Sequence, residues 1–217
     1  MRRVNDPRAL GRAERLRLDE LPAQEVLALA VERHHPRLVM ACSFQKEESV
    51  LIDMLMSIEP GARVFTIDTG VLFPQTYEVW RQIEDRYGLH IEVMDATSSN
   101  GSWTAAHCCS ARKVAGLEQA LTGTEAWITG IRREQSPTRA DAAKLERDDL
   151  RGVWKFNPLA DWSDVDIWRY VHENDLPYHP LHDDGYDSIG CAPCTLPGNG
   201  REGRWAGQAK TECGLHA

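Results

Sequence analysis

Short apolar runs and amphipathic stretches alternate along the first 130 residues of this chain. Leu38-Val39-Met40-Ala41-Cys42 is an apolar run of strand length, and Val64-Phe65-Thr66-Ile67, Ile91-Glu92-Val93-Met94 and Ala126-Trp127-Ile128-Thr129 are three more. Between them, residues 47–58 carry Val50, Leu51, Met54, Leu55 and Ile58 at helical spacing. Residues 75–87 form a second helical stretch, closed by Gly88 at the C-terminal cap, and residues 108–121 place Val114, Leu117 and Leu121 on one face. Ser163-Asp164-Val165-Asp166 has the form of a capping box opening a helix through Trp168 and Val171, with Pro177 as its stop. This alternation predicts an α/β fold: βαβ crossovers, a mainly parallel sheet and helices on both faces. Beyond Gly185 the chain is rich in Gly, Pro and Cys and is expected to be irregular.

In such sheets ligands bind at the carboxyl ends of the strands. Here those ends are Ser43-Phe44-Gln45-Lys46-Glu47, Asp68-Thr69-Gly70 and Gly130-Ile131-Arg132-Arg133. A helix start favours bound anions, but the first segment lacks the glycines and the Gly-Lys-Ser/Thr ending of a Walker A loop. An ordinary strand–helix turn is the better reading there. Arginine forks at the third segment match phosphate or sulfate oxygens; surface arginines paired with Glu134 are the plainer alternative.

The 217 residues suffice for one substantial core. The mean hydropathy of -0.45 is that of a soluble protein. The polar start, Met1-Arg2-Arg3-Val4-Asn5-Asp6-Pro7, lacks a signal-peptide core, and no run approaches the ~20 apolar residues of a membrane span. The expected compartment is the cytoplasm, where thiols stay reduced and cysteines serve metals or catalysis rather than disulfides. A net charge of -8 argues against general nucleic-acid binding. The arginines from Arg2 to Arg17 read as a solvated helix face. Arg132, Arg133 and Arg139, and then Arg201 and Arg204, sit beside turns where an anion site is more plausible.

Four of six cysteines form two pairs, Cys108-Cys109 and Cys191-Ala192-Pro193-Cys194, while Cys213 stands alone in Glu212-Cys213-Gly214-Leu215-His216. Adjacent residues on a helix point about 100° apart, so Cys108 and Cys109 converge poorly on one tetrahedral ion. Different irons of a larger cubane suit them better, with structural zinc or inert buried cysteines as alternatives. For Cys213, composition does not separate a reactive thiol from an incidental tail cysteine. Thiolate character would come from Arg201, Arg204, Lys210 or His216. Most tryptophans are expected in the core, with Trp205 beside Arg204 near a site. His179 and His182, flanking Pro180-Leu181, could serve as ligands, but read better as loop histidines at the surface.

Taken together, Ser43-Phe44-Gln45 with Glu47, Asp68-Thr69-Gly70, Cys108-Cys109 with Arg112-Lys113, Gly130-Ile131-Arg132 with Gln135-Ser136, Gly185-Tyr186, Ser188-Ile189-Gly190-Cys191, Cys194-Thr195, Arg201-Glu202-Gly203-Arg204-Trp205 and the terminal Glu-Cys-Gly-Leu-His resemble one family. It is the iron–sulfur branch of assimilatory adenylyl-sulfate (APS) reductases within the phosphoadenylyl-sulfate (PAPS) reductase family. The resemblance implies an adenine-nucleotide α-hydrolase-like fold. It further implies reduction of APS to sulfite and AMP in sulfate assimilation, through a thiosulfonate on Cys213. Ser43, Phe44, Gln45, Asp68, Gly70 and Arg132 would hold the adenylate, and Lys113, Arg201 and Arg204 would face the phosphosulfate. Cys108, Cys109, Cys191 and Cys194 would ligate a [4Fe–4S] cluster. PAPS-specific relatives typically lack these four cysteines. The chain carries no thioredoxin-like domain after the terminal motif, so thioredoxin or glutaredoxin would act in trans; the sequence leaves room for a homo-oligomer. Residues 1–198 are expected to form the nucleotide-binding α/β domain with the iron–sulfur site, and 199–217 a mobile C-terminal tail carrying the catalytic cysteine. The rival readings are a PAPS reductase, a nucleotide-activating sulfurtransferase or ATP pyrophosphatase, which would release pyrophosphate from ATP, and a zinc protein without nucleotide affinity.

Overall fold

The computed structural model describes residues 17–97, 111–205 and 215; Cys108, Cys109 and Cys213 lie outside the described residues. The elements run α1 (Ala23–His34), β1 (Leu38–Ala41), α2 (Lys46–Ile58), β2 (Arg63–Asp68), α3 (Pro74–Tyr87), β3 (Glu92–Asp95), α4 (Ala111–Leu121), β4 (Ala126–Ile128), β5 (Leu145–Asp148), β6 (Val153–Phe156) and α5 (Asp164–Glu173). The strands form one sheet in the order β3-β2-β1-β4-β6-β5. All neighbours are parallel except β5 and β6, which pair antiparallel. The predicted parallel α/β architecture is therefore present. No helix among the described residues is long and apolar enough to cross a membrane.

Strand side chains alternate between two cores. Leu38 and Met40 of β1, Ala126 and Ile128 of β4, and Trp154 and Phe156 of β6 face a core shared with α1, α2, α3 and α5. Val39, Phe65, Trp127 and Val153 face the opposite side, where Leu117, Ala120 and Leu121 of α4 cover them. A period of two on strands buried from both sides produces this division. The expected caps are in place. Gly88 ends α3 at φ 60°, and Ser163 opens α5 by accepting from the Asp166 amide.

Two features went unread in the sequence. Helix α1 buries Val26, Leu27 and Ala30 at helical spacing, a signal lying beside the arginine-rich start. The β5–β6 hairpin, whose strands have four residues each, closes one sheet edge. Strand order reverses between β1 and β4, so the segments that leave their carboxyl ends run apart and leave a crevice.

Candidate active site

That crevice is a cavity of about 130 Å³. Ala41 through Gln45 after β1, Phe65 to Ile67 on β2, and Thr129 to Ile131 after β4 form its walls. Lys113, Arg139, Arg201 and Arg204 add cations, and Leu215 lines it from near the chain terminus.

The turn after β1 is shaped by burial. Phe44 adopts φ 60°, a conformation costing a non-glycine residue about 1–2 kcal/mol. Its ring is fully buried and stacks on Trp80 with centroids 5.2 Å apart, which holds the turn. Glu48 reaches back from the first turn of α2 to accept from Ser43 Oγ at 3.0 Å and Gln45 N–H at 3.1 Å. The helix start considered above as an anion site is thus capped from within. Burial, and then the charge of Glu47, pushes the Glu48 carboxyl up to about 8.

This acid has a consequence for stability. Its ordinary value is 4.5, so between about 4.5 and 8 the folded state holds a proton that the unfolded chain has released. Its contribution to stability should fall as pH rises through that window and level off above it. Urea unfolding at about pH 5 and about pH 8 should show the decline, and Glu48→Gln should flatten it relative to wild type. An equal slope in the variant would remove Glu48 as the cause.

Lys46 and Glu47 point elsewhere. Lys46, 3% exposed, pairs with Asp164 at 2.6 Å and lies 4.8 Å above the Trp168 ring. Glu47 pairs instead with Arg132 at 2.9 Å, so the charge of Lys46 is met by Asp164 rather than by its neighbour Glu47. Arg132 also meets Asp164, Glu134 and the Trp162 carbonyl. It lines an adjoining polar cavity with Glu47 and Asp187 rather than the main one. Removing one member of a buried ion pair strands the other, so Arg132→Ala should cost about 3–5 kcal/mol in urea unfolding. A loss below about 1 kcal/mol would mean the pair contributes little.

Asp68 and Gly70 form a tight turn after β2. Asp68 Oδ1 accepts from Gly70 N–H at 2.8 Å and from Tyr77 O–H at 2.9 Å. Thr69 Oγ1 lies 3.2 Å from Cys191 Sγ, so this turn abuts the cysteine pair. Cys191 and Cys194 are both buried, at the cap and end of a short 3-10 turn, and pack with Trp205, Val71, Leu72 and Leu215. Two sulfurs brought to one apolar cluster fit thiolate ligation of a cofactor; their predicted partners Cys108 and Cys109 lie outside the described residues.

Arg201 and Arg204 both stack on the Trp205 ring, at 5.2 and 4.8 Å. Arg204 is buried and donates to Ser188 Oγ and to the Ile189 carbonyl. A Cβ at Gly190 would overlap its guanidinium, so glycine is required for this approach. The first part of the expected tail packs against the body. Leu196 N–H donates to the Gly203 carbonyl, and Trp205 N–H donates to Cys194.

Of the predicted substrate residues, Ser43, Phe44, Gln45, Lys113, Arg201 and Arg204 line the main cavity, whereas Asp68, Gly70 and Arg132 do not. Arg139, Gln135 and Glu48 line it without having been singled out as binding residues. Arg139 carried a signal in its place after the Ser136-Pro137 turn. His179 is a correction. Instead of standing at the surface it is fully buried, 3.0 Å from Thr76 Oγ1, and burial lowers it to about 4.

Residues 37–197 match the family model described as the phosphoadenosine phosphosulfate reductase domain. The chain belongs to this family. It is accordingly a reductase of the adenylated-sulfate class. An adenosine 5'-phosphosulfate reductase of Lysinibacillus sphaericus is 44% identical over 210 residues, spanning 89% of this chain and 90% of the relative. A phosphoadenosine 5'-phosphosulfate reductase of Gloeobacter violaceus is 42% identical, spanning 92% and 90%. Among solved structures, a phosphoadenylyl-sulfate reductase of Candida auris in a phosphate complex superposes with a TM-score of 0.75. It is 28% identical, over 87% of this chain and 98% of that one.

Proposed function

We propose that this chain reduces APS to sulfite and AMP, with Cys213 as nucleophile and a dithiol protein, thioredoxin or glutaredoxin, as reductant in the cytoplasm. One observation carries the reading. Leu215, two residues beyond Cys213, lines the cavity that also holds Lys113, Arg201 and Arg204. Chain geometry limits the Cα of a residue two peptide units away to about 7 Å from the Leu215 Cα.

The chemistry follows from charge and bond order. The Cys213 thiolate attacks the sulfuryl sulfur, an S–S bond forms, and the S–O bond to the phosphate breaks with its electron pair leaving on AMP. Lys113, Arg201 and Arg204 offset the repulsion between thiolate and dianionic substrate and stabilise the leaving phosphate. A donor thiolate then attacks Cys213 Sγ, sulfite departs, and the donor's second thiol resolves the mixed disulfide, so the dithiol supplies both electrons. Ser43 and Phe44, which line the cavity, would frame the adenylate side, with Gln45 holding the loop in place. Cys108, Cys109, Cys191 and Cys194 would hold a [4Fe–4S] cluster, whose contribution is to order the Lys113 helix and the Cys191 segment, because the thiol steps balance without electrons from iron.

The name of the Gloeobacter relative favours PAPS as a second substrate reading. Protein purified without oxygen, given APS and thioredoxin, should release stoichiometric sulfite and AMP. No sulfite from either nucleotide, or pyrophosphate from ATP, would replace the proposal with the sulfurtransferase reading.

A further inference from the structure

One peptide group joins the nucleotide loop to the cysteine segment. Gln45 Oε1 accepts from the Ile189 N–H at 2.8 Å. The same side chain donates through Nε2 to Ser43 Oγ at 3.2 Å, and the Gln45 main-chain N–H donates to Glu48. On the opposite side of the Ile189 residue, Arg204 Nη1 donates to its carbonyl at 3.0 Å and to Ser188 Oγ at 3.1 Å. Ile189 is buried, Gly190 follows, and Cys191 comes next, with its sulfur 3.2 Å from Thr69 Oγ1. Ser188 to Cys191 is therefore held from three sides, and two of the holding residues, Gln45 and Arg204, also line the cavity.

Both ends of the Gln45 amide are engaged within the protein. Its side chain is suited to transmit order rather than to contact a ligand. A nucleotide that fixes the Ser43–Glu48 turn lowers the entropic cost of keeping Gln45 on Ile189. Linkage is reciprocal, so a segment held by Gln45 must favour the nucleotide by the same factor.

We propose that Gln45 is a positioning residue whose side-chain carbonyl, by holding the Ile189 amide, couples filling of the cavity by an adenylate to the order of the segment carrying Cys191. This rests on the reading above, that the cavity takes an adenylate and that Cys191 and Cys194 help hold a cluster.

The probe is AMP, added to protein purified without oxygen. Two rates are followed, each with and without AMP: loss of visible absorbance under chelator, and hydrogen exchange at the Ile189 amide. In wild type AMP should slow both by about fivefold, the factor one ordinary hydrogen bond supplies. Gln45→Ala should abolish the slowing and weaken AMP binding by a similar factor. Gln45→Glu, which retains an acceptor oxygen for Ile189, should restore protection. A Gln45→Ala protein still protected as wild type overturns the coupling. If that variant fails to fold, exchange in wild type decides alone, and an Ile189 amide indifferent to AMP overturns it. Wild type that binds no AMP or lacks visible absorbance overturns the functional reading itself, an outcome seen before any variant is made.

Discussion

Serine in place of Cys213 should leave a folded, coloured protein that releases no sulfite from APS. The expected loss is on the order of a thousandfold or more, because the substitution removes the reacting atom rather than a supporting contact. A serine hydroxyl has almost no anionic fraction near neutral pH, whereas a thiol beside cations reaches its thiolate readily. Even if the hydroxyl were sulfated, an O–S ester offers no sulfur for a donor thiol to attack, so turnover would stop after one event. Lys113, Arg201 and Arg204 supply the cationic lining, and Trp205, Val71, Leu72 and Leu215 pack with Cys191 and Cys194. Colour and AMP binding should therefore persist. Mass spectrometry adds the positive arm. Wild type incubated with APS and no reductant should carry a sulfite adduct on Cys213, absent from Cys213→Ser. An active serine variant, or an adduct on another cysteine, would end the proposed mechanism.

What was legible in the sequence was local. Residues 38–42, 64–67 and 126–129 read as strands because apolar runs flanked by turn residues have few alternatives, and Gly88 and Ser163 read as caps because each cap needs one residue type in one place. The strand ends then followed, but the strand order that opens the crevice between β1 and β4 did not. What stayed hidden depends on partners far apart in the chain. Nothing near Lys46 indicates Asp164; the pair exists because α5 packs against α2 and carries its first turn to the start of that helix. His179 looked like a loop residue because its neighbours are Pro180 and polar groups, yet Thr76 on α3 provides a polar partner and allows it inside. Gln45 likewise has no local mark of its bond to Ile189. The cysteine motifs were conspicuous through spacing alone, but spacing does not identify a metal.

Lys46 bears directly on the choice of nucleotide, and APS should be used at least about a hundredfold better than PAPS, measured as kcat/KM. PAPS differs by a 3′-phosphate that adds nearly two negative charges at neutral pH, so a site accepting it needs donors or cations there. The nucleotide loop's one cation, Lys46, is buried against Asp164 and the Trp168 ring and is absent from the cavity lining. Glu48 does line it, and its partner Glu47 keeps a second carboxylate close by on Arg132. Of the remaining lining cations, Lys113, Arg201 and Arg204 are required by the phosphosulfate end in the proposed reaction, and Arg139 is engaged with Gln135. An added phosphate would meet a carboxyl group rather than an ammonium. One unmatched charged contact of about 3 kcal/mol gives more than a hundredfold discrimination. Raising pH through about 8, where Glu48 ionises, should widen the preference, because the more highly charged nucleotide is repelled more strongly. Competition between the two nucleotides with a common thioredoxin measures the ratio directly, and repeating it with Glu48→Gln separates the acid from the rest of the loop. Comparable constants for APS and PAPS would overturn the substrate assignment while leaving the thiol chemistry of Cys213 intact.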